Sequence, residues 1–127
     1  MKPSLHIAIV LAIISLIGCA EAEQSLKVTA SAYTSSAGET DLTPNLAAWG
    51  DTLKPGIKSI AVSRDLIGMG LTHNQEVRIK GFDGTYRVLD KMNKRWKKKI
   101  DIYMGNDVKK ARQWGKQEVV IYWTNKK

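Results

Sequence analysis

Tyr86-Arg87-Val88-Leu89-Asp90 is a run of strand formers that ends on an aspartate, and Ile100-Asp101-Ile102-Tyr103 carries a second aspartate inside a run of the same kind. Aspartate is among the residues least suited to a strand, so two of them in such places need a reason beyond the backbone. Upstream, Leu26, Val28, Ala30 and Ala32 alternate with Lys27, Thr29, Ser31 and Tyr33, the period of a half-buried strand. Further short strands are predicted over Ile57 to Val62, Glu76 to Lys80, Thr85 to Leu89, Ile100 to Tyr103 and Glu118 to Trp123, with Phe82-Asp83-Gly84 as a hairpin turn. Asn106 is placed to cap one helix over Asp107 to Trp114, which Gly115 stops. Six short strands with one helix near the C-terminus predict a mainly β protein closed into a small barrel, because closure removes the exposed edges of an open sheet. Thr34 to Gly56 has neither period and is long for a connection in a small domain, which marks it as a functional loop or a disordered one.

The chain has 127 residues, 43% of them hydrophobic and 25% charged, which fits one folded domain with its own core and excludes a disordered chain. Residues 1–22 read as a secretory signal: Lys2 supplies the positive start, and Ile7 to Ile17 is apolar except for Ser15. Two processing patterns overlap at its end. Leu16-Ile17-Gly18-Cys19 is similar to a lipoprotein signal that would leave Cys19 lipidated, whereas Ala20-Glu21-Ala22 fits ordinary cleavage. Residues 23–127 remain as the domain, without a cysteine for a disulfide. The apolar run is shorter than the roughly 20 residues of a membrane span, so a membrane is expected as a partner only through an anchor at Cys19.

The formal net charge is +8, and removal of residues 1–18 takes away only Lys2. Much of the excess lies in Lys91-Met92-Asn93-Lys94-Arg95-Trp96-Lys97-Lys98-Lys99, between the two aspartates. Such a run attracts anionic partners; for an exported protein these are the polymers of the cell envelope rather than nucleic acid, and a solvated loop with no partner is the plainer alternative. The same lysines argue against a general acid, because neighbouring cations lower a carboxylate's pKa.

Several short motifs occur together in order: Val28-Thr29-Ala30-Ser31-Ala32-Tyr33, Glu39-Thr40-Asp41-Leu42-Thr43-Pro44, Ala48-Trp49-Gly50, Ile60-Ala61-Val62-Ser63, Val88-Leu89-Asp90, Ile100-Asp101-Ile102-Tyr103 and Ala111-Arg112-Gln113-Trp114-Gly115. In this the chain resembles the 3D domain family, named for three aspartates, over nearly the whole stretch from Lys27 to Trp123. The resemblance implies a double-psi β-barrel. It also implies kinship with lytic transglycosylases, which cut the glycan strands of peptidoglycan, and with expansin-like wall-loosening or wall-binding modules. Two positions depart from the family pattern. Ser63 stands where the first aspartate follows an Ala-Val pair, with Asp65 two residues on, and Lys91-Met92-Asn93 replaces the usual Thr-Gly-Gly turn.

By resemblance, Asp90 is the acid and base that breaks the glycosidic bond and Asp101 tunes it or stabilises the charged intermediate, with an exchange of the two roles left open. Tyr33, Thr43, Trp49, Trp96 and Lys97 are the expected contacts to a glycan, although Trp49 would equally well cover the barrel end and Trp96 anchor its loop. Trp114 and Trp123 are assigned to the core. His73 has no second histidine or cysteine beside it, so neither a metal site nor a Ser-His-Asp triad is expected, and the implied protein is a monomer in the bacterial cell envelope without cofactor or metal.

Overall fold

The computed structural model describes residues 22–35 and 46–125; Cys19, Thr43 and all but the last residue of the expected signal lie outside them. Six strands close into a barrel: β1 (Glu23–Tyr33), β2 (Ser59–Val62), β3 (Glu76–Ile79), β4 (Tyr86–Lys91), β5 (Lys99–Tyr103) and β6 (Gln117–Thr124). Around the barrel they run in the order β1, β5, β2, β4, β3, β6, and β6 returns to β1. The pairs β1/β5 and β2/β4 are parallel and the other four are antiparallel.

The alternation that predicted the strands fills the barrel. Val28 and Ala30 of β1, Ile60 and Val62 of β2, Val77 and Ile79 of β3, Val88 of β4, Ile100 and Ile102 of β5, and Ile121 and Trp123 of β6 form one buried cluster. Each fully buried aliphatic side chain of this size stabilises the fold by roughly 1.5–3 kcal/mol, and among the described residues this core has no covalent help. Trp123 is in this core, as expected, whereas Trp114 is half-buried at its margin, donating its indole N–H to the Ala30 carbonyl at 3.0 Å.

Two short helices are described rather than one. The additional one, α1 (Arg64–Ile67), is a single turn after β2, held in place by the buried Leu66 and too brief to show a helical period. The expected helix is α2 (Val108–Trp114), and its cap is Asp107 rather than Asn106: the Asp107 carboxylate accepts from Lys110 N–H at 3.0 Å.

The described part of the long connection is folded. Residues 46–57 carry a tight turn, closed by Ala47 N–H to Asp51 O at 2.8 Å and Gly50 N–H to Ala47 O at 2.9 Å. Ala47 and Leu53 form a second buried cluster with Leu89 and Tyr103, and Tyr33 and Ile57 pack against it. Gly105 lets the loop approach the end of β5: its φ is +60°, and a Cβ there would stand 3.1 Å from Pro55 Cα.

Candidate active site

The two aspartates meet on the outside of the barrel because of one irregularity. Along β2 and β4 the register steps from Ile60 opposite Val88 to Ala61 opposite Asp90, so Leu89 is an extra residue bulged out of the ladder. Strict alternation would place Asp90 on the side of Tyr86 and Val88, facing the core. The bulge instead puts Leu89 in the second cluster and aligns Asp90 with Ala61, whose neighbours Ile60 and Val62 point inward. Ala61 is also opposite Asp101, and Asp101 is opposite Ser31. One row across four strands thus reads Ser31, Asp101, Ala61, Asp90. With strands spaced about 4.8 Å apart, the two aspartate backbones are about 10 Å apart, and only a methyl group stands between their side chains.

Asp101 has Lys99 and Tyr103 as its same-face neighbours on β5, and all but a few per cent of both is buried. Its Oδ1 is buried and has no hydrogen-bond partner among the described residues. Burial raises its pKa most strongly, Lys99 opposes the shift and Asp90 adds to it, and the result is about 6. The predicted opposition from lysine therefore exists, but desolvation outweighs it. The Lys99 ammonium is engaged elsewhere, 3.7 Å from the centre of the Trp96 ring.

Tyr33 lies beside the pair, its ring 5.4 Å from that of Tyr103. Burial raises its pKa, and Asp90 and Asp101 raise it further. Its Oη and the buried Ser59 Oγ find no partner of good geometry among the described residues, although the Ser59 hydroxyl is close enough to temper that shift. Tyr103 Oη is hydrogen-bonded to Ser35 Oγ.

Asp90 is held differently. Its Oδ1 accepts from Ala48 N–H at 2.8 Å and Lys91 N–H at 2.9 Å. Its pKa too is raised, by burial first and by Asp51 in addition, against the two backbone donors and the Lys91 charge, which lower it. Two donors on one oxygen favour the ionised form, so of the two carboxylates Asp101 is the better proton holder and Asp90 the better anion.

Asp51 and His73 join the site without having been expected there. His73 Nε2 is 2.5 Å from Asp51 Oδ2, and its ring stacks on Trp49 at 4.9 Å with an interplanar angle of 25°. Lys91 Nζ stands 5.6 Å from the centre of the same indole. The two residues are 22 positions apart in segments without periodicity, and no local pattern links them. Trp49 is half-buried against the barrel core, as expected of a residue that covers it, and its ring stacks on His73.

The basic segment is partly committed to the fold. Trp96 carries Arg95 at 4.9 Å as well as Lys99 over its ring, so cations occupy the surface expected to stack on sugar. Lys97 is exposed and lies near Asp65 rather than the aspartate pair. Ser63 and Asp65 fasten this segment: Lys99 N–H donates to Ser63 Oγ at 3.0 Å and Lys98 N–H to Asp65 Oδ2 at 2.9 Å. Asp65 is thus an anchor for the loop and not a third member of the Asp90 and Asp101 row. Among the described residues no three His, Cys, Asp or Glu side chains converge to hold a metal ion, and no helix is long and apolar enough to cross a membrane. No protein-family model matches the chain, and no curated protein sequence does.

Proposed function

We propose that this protein is a peptidoglycan-cleaving enzyme of the lytic transglycosylase kind, exported to the bacterial cell envelope and built on a double-psi β-barrel. The parallel pairs β1/β5 and β2/β4 within a closed six-stranded barrel support the finer assignment of fold. The observation that carries the function is the pair of half-buried carboxylates on one outer face, unequal in environment, with Asp101 raised to about 6 and Asp90 bonded to two backbone donors. These environments favour Asp101 as the acid, the exchange of roles that the sequence left open.

Protonated Asp101 gives its proton to the glycosidic oxygen as the bond to the anomeric carbon breaks, and ionised Asp90 stabilises the positive charge that develops there. Asp101, now ionised, removes the proton from the sugar's own C6 hydroxyl, whose oxygen closes on the anomeric carbon. The products are a free 4-hydroxyl on one fragment and a 1,6-anhydro-muramoyl end on the other. Tyr33 and Trp49 flank the pair as glycan contacts, and Cys19 is the point at which a lipid would tether the protein to a membrane.

Mass spectrometry of the soluble products released from purified sacculi tests this. The unmodified protein is expected to release muropeptides with 1,6-anhydro ends, and Asp101→Asn to lower the rate by about 100-fold or more. The exposed Lys94, Arg95, Lys97 and Lys98 favour a second reading, a wall-binding or wall-loosening module without catalysis. A protein that sediments with sacculi and releases nothing would establish that reading instead.

A further inference from the structure

His73 is the fixed point of the turn that covers Asp90. The backbone on its C-terminal side is tied to β4: Asn74 N–H donates to Val88 O at 2.8 Å, and Val88 N–H donates to Gln75 O at 3.0 Å. The imidazole reaches the other way, to the Asp51 carboxylate and the Trp49 ring. Both of those residues belong to the turn 47–51, and so does Ala48, whose N–H rests on Asp90 Oδ1. The contacts form a closed circuit that starts two residues before Asp90 on β4, passes through His73 and the turn, and returns to Asp90 itself. Asp51 and Lys91 are the charged side chains that act on Asp90 within this circuit.

We propose that His73 is a positioning residue for Asp90: by gripping Asp51 and Trp49 it fixes the 47–51 turn, so that the Ala48 N–H stays on the carboxylate. Its value for catalysis rests on the glycan-cleaving reading above, but the positioning itself does not. Without His73 the turn loses both a hydrogen-bond partner and a stacking partner, and the donor drifts from an oxygen that has only one other. Loss of a hydrogen bond to an ionised group makes that group easier to protonate.

Carboxyl carbon NMR titration of the substrate-free protein, compared with His73→Ala and His73→Gln, tests this. His73→Ala is expected to raise the Asp90 midpoint by about one pH unit, a tenfold change in proton affinity, and to speed exchange of the Ala48 amide by about tenfold. The Ile60 and Ile102 amides in the barrel should exchange as before. His73→Gln keeps an N–H to offer Asp51 and is expected to recover at least part of the shift. An unchanged Asp90 midpoint in folded His73→Ala, or an equal shift in both variants, would overturn the proposal. Should His73→Ala fail to fold, Trp49→Ala removes the ring on which His73 stacks, and with it the surface under Lys91; faster exchange of the Ala48 amide together with a rise in the Asp90 midpoint supports the circuit, and an unchanged Ala48 exchange overturns it. Because no glycan is present, a shifted titration in a protein that releases no muropeptides would refute the enzymatic reading and leave the positioning role standing.

Discussion

At the scale of single residues, Asp101 is held at the expense of stability. Its pKa is raised from 3.8 to about 6 in the folded protein, so folding favours its protonated form. The fold is therefore relieved of this burden below about pH 4 and bears it increasingly as pH rises through about 6. A shift of that size corresponds to at most about 3 kcal/mol above the transition, less where solvent reaches the carboxylate. Asp101→Asn is expected to slow cleavage by about 100-fold or more and yet to stabilise the protein near neutral pH by about 1–3 kcal/mol, with the gain vanishing in acid. Urea unfolding of both proteins across this pH range measures it; a variant that is no more stable at neutral pH would refute the account of burial. Asp90 is also raised by burial, but less freely, because backbone donors from its own strand and from a loop more than 40 residues upstream hold its ionised form.

At the scale of elements, the outer row depends on the small side chain in its middle. Ala61 is 5% exposed and lies opposite both aspartates. Valine suits a strand better than alanine, so Ala61→Val should leave the barrel intact within about 1–3 kcal/mol while its added methyl groups stand between the carboxylates. Loss of glycan cleavage with the barrel's unfolding midpoint nearly preserved is the expected result; full activity would show that the glycan does not approach between Asp90 and Asp101. The strands themselves are legible in the sequence, since Val28 and Ala30, or Ile100 and Ile102, repeat with the period of a pleated chain. The bulge is not, because Leu89 reads as the next apolar residue of its run and nothing local separates a residue that continues a ladder from one that is pushed out of it. The aspartates are thus visible as candidates, but their meeting is decided by the register of a neighbouring strand. His73 and Asp51 are hidden for a related reason: a turn and a distant strand connection are brought together only by the closed barrel.

At the scale of the whole molecule, the excess positive charge and the carboxylate site are neighbours only in part: Lys91 acts on Asp90 and Lys99 on Asp101, whereas Lys97 acts on Asp65. Lys94, Arg95 and Lys97 are exposed, while Lys99 is buried against Trp96, so the run divides into an outward part and a structural part. Reversing Lys94, Arg95 and Lys97, three of the four exposed cations of this run, to glutamate is expected to weaken co-sedimentation with sacculi by about tenfold at low salt and to flatten its dependence on salt, with cleavage of small soluble glycans unchanged. Unaltered sedimentation would mean that the loop holds no anionic polymer. The barrel closes where β6 lies against β1, residue 23 opposite residue 124 and residue 30 opposite residue 117. The longest strand therefore waits for the last one, and a nascent chain that already contains both aspartates has no closed barrel on which to display them. Through β1, which holds β6 on one edge and the Asp101 strand β5 on the other, the barrel answers as one cooperative unit, so damage at the β6 seam would be felt at the aspartate row on the far side of β1.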